Sequence, residues 1–114
     1  MKVLVVDDDA QGLEIRRLVL ERRGFEVNVA ASAEEARRSF ANSRPEVVVL
    51  DLRVPELENG LALIREFHEF QDVRIVVLCG NSTDLDGRAE AQMVGAILTK
   101  PVRSEELVKQ IRGN

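Results

Sequence analysis

The chain has few of the residues that mark several common protein classes. Of its 114 residues, one is cysteine, one is histidine, and none is tryptophan or tyrosine. With a single cysteine, Cys79, no internal disulfide can form, and we expect a reducing, cytoplasmic environment. No apolar run approaches the length of a membrane span, so we expect no membrane partner.

A continuous patch of positive charge is also missing. Lys and Arg total 16 against 20 Asp and Glu, which gives a net charge of −4. The arginine pairs at 16–17, 22–23 and 37–38 fall on predicted helices, where a solvated face is the ordinary interpretation. We therefore expect no nucleic-acid binding by this chain. A hydrophobic fraction of 45% with 32% charged residues fits one folded domain over residues 1–114.

Short apolar runs predict the strands. VLVV at 3–6, VVVL at 47–50 and IVVL at 75–78 are rich in β-branched residues and bounded by polar ones. These runs are typical of strands that are buried on both faces. Two weaker patterns, EVNVA at 26–30 and AIL at 96–98, indicate edge strands.

Helical patterns follow each predicted strand, and most of their apolar stripes are expected to face the core. The stripes are Ile15, Leu18 and Val19 before Gly24; Ala36 and Phe40 after a Ser32–Glu35 capping box; Leu63, Phe67 and Phe70; Leu85, Ala89 and Met93 ending at Gly95; and Leu107, Val108 and Ile111 after Ser104. Five strand–helix units predict an α/β fold, a doubly wound parallel five-stranded sheet in the flavodoxin-like order 2-1-3-4-5.

Charged residues follow several strands of this predicted sheet. Asp7, Asp8 and Asp9 follow the first strand, Asp51 ends the third, and Lys100 follows the fifth. Strands 1 and 3 are neighbours about 4.8 Å apart in the predicted order, so Asp51 should lie beside the acids, within reach of Lys100. A solvated turn or a favourable helix start explains one or two of the acids. Because crowded like charges repel, the whole set predicts a bound divalent cation, and oxygen-only ligands suit Mg²⁺.

This combination of residue types also suggests a reaction. A carboxylate beside Mg²⁺ and a lysine can act as a nucleophile toward a phosphoryl group and form an aspartyl phosphate. The metal and the lysine would stabilise charge on the transferring oxygens. Taken alone, Lys100 predicts only a loop and Asp51 only a turn, so the prediction depends on their combination at the same sheet edge.

Over nearly its whole length, the chain resembles the CheY-like receiver domains of response regulators in two-component signalling. The motifs that carry the resemblance are VLVVDDD, RRGFEV, VVVLDLRVPE, IVVLCG, VGA and LTKPV, and their combination is specific. The resemblance implies a single receiver domain over residues 1–114 with no output domain in this chain. It implies a histidine kinase or phosphotransfer protein as phosphoryl donor, and a downstream protein target or fused output domain. It also implies a signalling domain that catalyses only its own phosphorylation and dephosphorylation.

The resemblance assigns roles to individual residues. Asp51 resembles the phosphoacceptor, and Asp8 and Asp51 resemble direct Mg²⁺ ligands, with Asp7 acting mainly through water. The backbone carbonyl of Arg53 resembles a third ligand. Lys100 resembles the lysine that pairs with the phosphoryl group.

Other positions follow or depart from the family pattern. Pro101 is expected to follow a cis peptide bond, as in the family. Receivers usually carry Thr or Ser where this chain has Cys79, and an aromatic residue in the fifth strand, where Ile97 is the nearest candidate. The segment before Lys100 is two residues shorter than usual, and PELENG at 55–60 is one residue longer. The pattern predicts an intact phosphorylation centre with altered output.

Alternatives remain open. The two unusual positions favour a pseudo-receiver, an interaction module that no longer switches. Asp7 and Asp9 have the spacing of the first motif of haloacid-dehalogenase-type phosphatases, with Asp7 as nucleophile, although Gln11 departs from that motif. Cys79 as a redox sensor is disfavoured, because nearby carboxylates disfavour the thiolate. His68 is expected to be an ordinary helix residue.

Overall fold

The computed structural model of the protein describes residues 1–70 and 72–113, and this part of the chain forms five strands and four α-helices. The strands are β1 (Lys2–Val6), β2 (Glu26–Ala30), β3 (Val47–Asp51), β4 (Arg74–Cys79) and β5 (Ala96–Thr99). The helices are α1 (Ala10–Arg22), α2 (Ala33–Ser43), α3 (Leu57–His68) and α4 (Ser104–Arg112). None of these helices is long and apolar enough to cross a membrane.

All strand pairs are parallel, and their order is β2-β1-β3-β4-β5, which confirms the predicted topology. The central strands β1 and β3 are buried on both faces, because their β-branched runs have no polar position to expose. β2 and β5 are the edges; β5 alternates between half-buried and exposed residues, whereas β2 is mostly exposed and buries only Ala30. The carboxyl ends of all five strands therefore meet at one edge of the sheet.

Each face of the sheet has its own apolar core. Val3 and Val5 of β1 pack in the core that α1 and α4 cover, whereas Leu4 and Val6 pack in the core that α2 and α3 cover. This alternation follows from the period of two along a strand. The predicted stripe of α4 (Leu107, Val108 and Ile111) is buried, as are Ala36 and Phe40 of α2.

The predicted apolar stripe of α1 is wrong. Ile15 and Leu18 are 63% and 47% exposed, and α1 buries Leu13 and Leu20 instead. These two leucines lie seven residues apart, and Arg16 lies between them at helical spacing. The inward face of α1 therefore includes an arginine, and a pattern built from apolar residues alone selected the wrong face.

The predicted helix between β4 and β5 is also wrong. This segment forms successive turns closed by i→i+3 hydrogen bonds and a 3-10 helix at Ala89–Gln92. The Asn81 side chain accepts from the backbone N–H and the hydroxyl of Thr83, and Gly87 has φ +72°. Such side-chain bonds compete with an α-helix, so the loop is set by turn residues. Leu85 is still buried, as its place in the predicted stripe indicated.

The start of α2 and the end of α3 can be compared with the predicted cap and the predicted apolar stripe. Ser32 caps α2 by accepting from the backbone N–H of Glu35 at 3.1 Å, which is one of the two bonds of the predicted capping box. The Glu35 carboxylate accepts from the Ser32 hydroxyl at 3.4 Å, where the capping box would have it accept from the Ser32 backbone N–H. In the stripe predicted for α3, Leu63 and Phe67 are buried, but Phe70 lies beyond the end of the helix and is partly exposed. Phe67 stacks on Phe40 of α2 with ring centroids 4.3 Å apart, and Phe70 also packs on Phe40, in a tilted arrangement with centroids 5.0 Å apart.

Gly60 fixes how closely α3 approaches the segment after β3. A Cβ built on Gly60 would lie 1.8 Å from the backbone oxygen of Leu52. No side chain can occupy that position without moving the helix or the backbone that follows Asp51. Gly60 is therefore a packing requirement of the sheet edge at which the charged residues meet.

Replacing Gly60 with Ala should destabilise the fold by about 1–3 kcal/mol, the usual cost of overpacking. Urea unfolding followed by circular dichroism measures this change, since the chain has no tryptophan or tyrosine to report by fluorescence. Gly80→Ala is the matched control, because a Cβ built on Gly80 has no atom within 4 Å other than those of Gly80 and its two chain neighbours. Equal stabilities of the two variants would contradict the close approach at Gly60.

Candidate functional site

The turn from β1 to α1 is built by its own acidic residues. Asp7 follows β1 directly and continues the sheet, with its N–H donating to the carbonyl of Ala30 at 3.1 Å. One carboxylate oxygen of Asp7 accepts from the backbone N–H of Asp9 at 2.9 Å. Asp9 in turn caps α1 by accepting from the N–H of Gln11 at 3.2 Å. Asp9 therefore caps α1, and Asp7 and Asp8 are the acids of this turn that remain as candidates for the site.

Strand register brings Asp51 and Lys100 together. Asp51 is the last residue of β3 and pairs in register with Leu78, and Thr99 of β5 pairs with Cys79 of β4. Lys100 follows Thr99, and its ammonium donates to Oδ2 of Asp51 at 2.5 Å. The Asp51 side chain is largely buried, whereas Lys100 is partly exposed. Lys100 thus offsets the charge of a buried carboxylate from two strands away.

The three predicted acids meet at this edge. Asp7, Asp8 and Asp51 each offer one carboxylate oxygen, and these oxygens all lie within 4.8 Å of one another. Asp7 and Asp51 are buried, while Asp8 is exposed to solvent. Three carboxylate oxygens with one solvent-facing member are a donor set that suits Mg²⁺, which keeps several of its waters. The residues present therefore fit the predicted metal.

The environment of Asp51 disfavours its charged form. Burial raises the pKa of the Asp51 carboxyl above its usual range. The hydrogen bond from Lys100 opposes this rise, and the nearby charge of Asp7 adds to it. The backbone N–H of Arg53 donates to Oδ1 of Asp51 at 3.4 Å, and this bond also opposes the rise. Without a further cation, the ionised form of Asp51 is therefore less favourable here than it would be in water.

Cys79 lies in the same cavity as Asp51 and Lys100, which has a volume of about 260 Å³. Its thiol donates to the backbone carbonyl of Leu98 in β5, with a sulfur–oxygen distance of 3.7 Å. Burial, followed by the charge of Asp84, raises the pKa of the Cys79 thiol. Cys79 is therefore a neutral donor that bonds to the neighbouring strand, which agrees with the prediction that the thiolate is disfavoured.

Sequence reasoning missed Asp84, which lines this cavity from the loop after β4. Its side chain is only 8% exposed, and its Oδ1 accepts from the guanidinium of Arg53 at 3.3 Å. Within residues 1–70 and 72–113, its Oδ2 is buried and has no hydrogen-bond partner. Arg53 therefore touches two carboxylates, Asp51 through its backbone and Asp84 through its side chain. No periodic pattern marks a loop residue of this kind.

Arg16 and Gly12 were missed as well. The guanidinium of Arg16 pairs with Oδ2 of Asp7 at 3.1 Å. A Cβ built on Gly12 would lie 3.0 Å from Oδ2 of Asp9 and 3.9 Å from Oδ2 of Asp7. The sequence signal for Arg16 was its position between Leu13 and Leu20, three and four residues away.

Three further positions singled out in the sequence are Pro101, His68 and Ile97. The peptide bond between Lys100 and Pro101 is cis, as the resemblance implies, and the bond between Val54 and Pro55 is cis as well. His68 is exposed and ends α3. Ile97, which stands where an aromatic residue was expected, is exposed on the edge strand β5.

The raised pKa of Asp51 predicts a pH-dependent stability. The protonated form is favoured by folding, so its stabilisation is complete below the unfolded pKa of about 3.9 and is lost as the pH rises through the higher folded value. Asp51→Asn, which carries no charge, should therefore unfold at a higher temperature than the wild type at pH 7 in EDTA. The gap should shrink as the pH falls through the raised pKa. A gap that does not change with pH would contradict the burial argument.

Known proteins with a similar sequence point to one family. The family model described as response regulator receiver domain matches residues 3–112. The probable transcriptional regulator ycf27 of Porphyridium aerugineum is 36% identical over 97% of this chain and 46% of its own length. The transcriptional regulatory protein PrrA of Mycobacterium tuberculosis is 36% identical over 97% of this chain and 48% of its own length. The chain thus spans about half the length of these curated relatives.

Solved structures agree with the sequence comparison. A response regulator receiver domain protein from Clostridium thermocellum superposes with a TM-score of 0.85 at 30% identity, covering 97% of this chain and 90% of the other. The response regulator TrrA from Thermotoga maritima, solved in complex with Mg²⁺ and BeF, gives a TM-score of 0.86 at 25% identity. That match covers 97% of this chain and 96% of TrrA. With its fold, its acidic edge and its sequence in agreement, the chain belongs to the family of response regulator receiver domains.

Proposed function

We propose that this receiver domain accepts a phosphoryl group on Asp51 from a phosphohistidine of a histidine kinase or phosphotransfer protein. The observation that carries the proposal is the position of Asp51, whose buried carboxylate lies beside Asp7 and Asp8 and bonds to Lys100. The phosphorylated domain then changes its binding to a protein target or to an output domain. It is a signalling module whose chemistry is confined to its own aspartyl phosphate.

The proposed reaction is a phosphoryl transfer between two nucleophiles. A carboxylate oxygen of Asp51 attacks phosphorus, the bond between phosphorus and the donor's imidazole nitrogen breaks, and the imidazole takes up a proton. Oδ1 of Asp51 faces the backbone N–H of Arg53, and Oδ2 faces Lys100. Lys100 is positioned to release the carboxylate and pair with the new phosphoryl oxygens. Water later hydrolyses the acyl phosphate and regenerates the aspartate.

Mg²⁺ is the proposed cofactor. Asp8 and Asp51 would hold it directly, Asp7 would act mainly through water, and the backbone carbonyl of Arg53 would be the third protein ligand. When bound, the ion supplies positive charge to the acidic edge and to the transferring oxygens. TrrA of Thermotoga maritima was solved in complex with Mg²⁺ and BeF, and this supports Mg²⁺ as the cofactor of a homologous domain.

The longer relatives suggest where the signal goes. PrrA and ycf27 are named as transcriptional regulators, and this chain matches about half of each. We infer that residues 1–114 form one receiver domain and that a DNA-related output, where one exists, belongs to a separate domain or protein. The dispersed basic residues agree with this division, since they form no basic stripe.

Asp51→Asn should abolish phosphorylation by acetyl phosphate or phosphoramidate with Mg²⁺, because the amide is not a nucleophile. Mass spectrometry of the intact protein and of its peptides measures the label and locates it. Asp9→Asn is the matched control, since it removes one negative charge from the same edge but keeps an N-cap, and it should label normally. Phosphate on Asp7 in the Asp51 variant would favour the phosphatase-type alternative.

A second candidate, a domain that is phosphorylated but switches weakly, is favoured by Cys79. Its S–H already bonds to the Leu98 carbonyl, and a thiol is a weaker donor than a hydroxyl. Hydrogen bonds to charged groups contribute about 1.5–3 kcal/mol. Losing about 1.4 kcal/mol of that would lower the ratio of active to inactive domain tenfold. The chemistry would then proceed with a reduced change in partner binding.

Cys79→Thr should therefore strengthen the response without a large change in Mg²⁺ affinity. The measurement is the change in amide chemical shifts of Gly80 to Asp84 when beryllofluoride and Mg²⁺ are added. Cys79→Val is the matched control, because valine has the shape of threonine without the hydroxyl. If the threonine variant responds no more than the valine variant or the wild type, the weak donor is not what limits switching.

A further inference from the structure

The inward face of α1 carries an arginine where a helix packed on a sheet ordinarily carries an apolar residue. Leu13 and Leu20 are buried against the sheet, and Arg16 lies between them on the same face. Its side chain is only 21% exposed. An arginine at such a position gives up solvation, so a partner of opposite charge is required nearby.

That partner is Asp7, one of the two acids after β1. Nη1 of Arg16 lies 3.1 Å from Oδ2 of Asp7, whose side chain is 5% exposed. The other oxygen of Asp7 accepts from the N–H of Asp9. Both oxygens of Asp7 are therefore engaged by the protein itself. Because the pair is largely shielded from water, its attraction exceeds that of an exposed ion pair.

Gly12 leaves room for this arrangement. It lies one helical turn before Arg16, and a Cβ at this position would approach the carboxylate oxygens of Asp9 and Asp7 at 3.0 and 3.9 Å. The absence of a side chain thus keeps open the space beside the acids. The neighbouring Arg17 has a different role, since it pairs with Glu14 and Glu21 on the outer side of the helix.

Two internal cations consequently share the acidic edge. Lys100 pairs with Asp51 and Arg16 pairs with Asp7, while Asp8 has an exposed carboxylate. A metal ion that enters this edge needs an electron pair on Asp7, directly or through a bound water, and Arg16 already occupies one of those on Oδ2. The guanidinium also repels any cation placed beside Asp7.

We propose that Arg16 is a built-in counter-ion that competes with Mg²⁺ for Asp7 and so lowers the metal affinity of the phosphorylation site. The inference rests on the proposed Mg²⁺ site. Arg16 acts through Asp7 and is therefore a positioning residue. Arg16 stabilises the ionised form of Asp7 when no metal is bound, and metal binding is weaker for the same reason.

The test compares Mg²⁺ titrations of Arg16→Met and Arg17→Met, followed by amide chemical shifts of the acidic edge. Both variants lose one positive charge from α1, but only Arg16 touches a proposed ligand. Arg16→Met should bind Mg²⁺ about threefold to tenfold more tightly than the wild type. Arg17→Met should bind it like the wild type. Arg16→Lys, which keeps the charge, should remain close to the wild type.

Thermal unfolding gives a second readout that does not depend on phosphorylation. In EDTA, Arg16→Met should unfold at a lower temperature than Arg17→Met, because Asp7 is left buried without its partner. Added Mg²⁺ should raise its unfolding temperature more than that of the control. Should Arg16→Met fail to fold, Arg16→Gln keeps a polar side chain at the position and takes its place in both experiments.

The outcomes separate this inference from the proposed function. Equal Mg²⁺ affinities of the two methionine variants, or weaker binding by Arg16→Met, would overturn the competition. Asp8→Ala tests the metal site itself and should remove most binding. If Asp8→Ala binds Mg²⁺ like the wild type, the metal assignment fails, and the role of Arg16 fails with it.

Discussion

Repulsion among three carboxylates is the constraint on which the rest of this site depends. Asp7, Asp8 and Asp51 cannot move apart, because the two central strands that deliver them are buried on both faces. Lys100 and Arg16 each offset one acid, which leaves the edge negative. That remaining charge adds to burial, which raises the pKa of Asp51, and it favours a divalent cation at this edge.

Much of the fold followed from short-range patterns, since buried parallel strands have a distinctive composition. The runs before Asp7 and Asp51 are continuous and β-branched, so their number and order were predictable. Parallel topology then brings the carboxyl ends to one edge. This is why Asp51 and Lys100, 49 residues apart, could be placed together before their register was known.

The errors arose where polar side chains determine the local structure. Arg16 is inward because Asp7 requires a partner, and this requirement is invisible to a rule that counts apolar residues. The loop after β4 contains a plausible apolar stripe, but the side-chain bonds of Asn81 and the positive φ of Gly87 set turns in place of a helix. Asp84 was missed for the same reason, since its place depends on Arg53 and on that loop.

These polar contacts also bear on how a charge at Asp51 is transmitted. Arg53 bonds to Asp51 through its backbone and to Asp84 through its guanidinium, so a phosphoryl group would act on both contacts at once. Cys79 occupies the position at which receivers usually carry a hydroxyl donor, and its thiol donates to the backbone carbonyl of Leu98 in β5. The loop after β4 is therefore linked to the site through the ion pair of Arg53 with Asp84 and not through a hydrogen bond from Cys79. Coulomb coupling falls slowly with distance but is screened by salt, whereas a hydrogen bond is short and directional. If Asp51 is phosphorylated as proposed, a loop that is coupled by charge should change less sharply than a loop that forms a new hydroxyl bond.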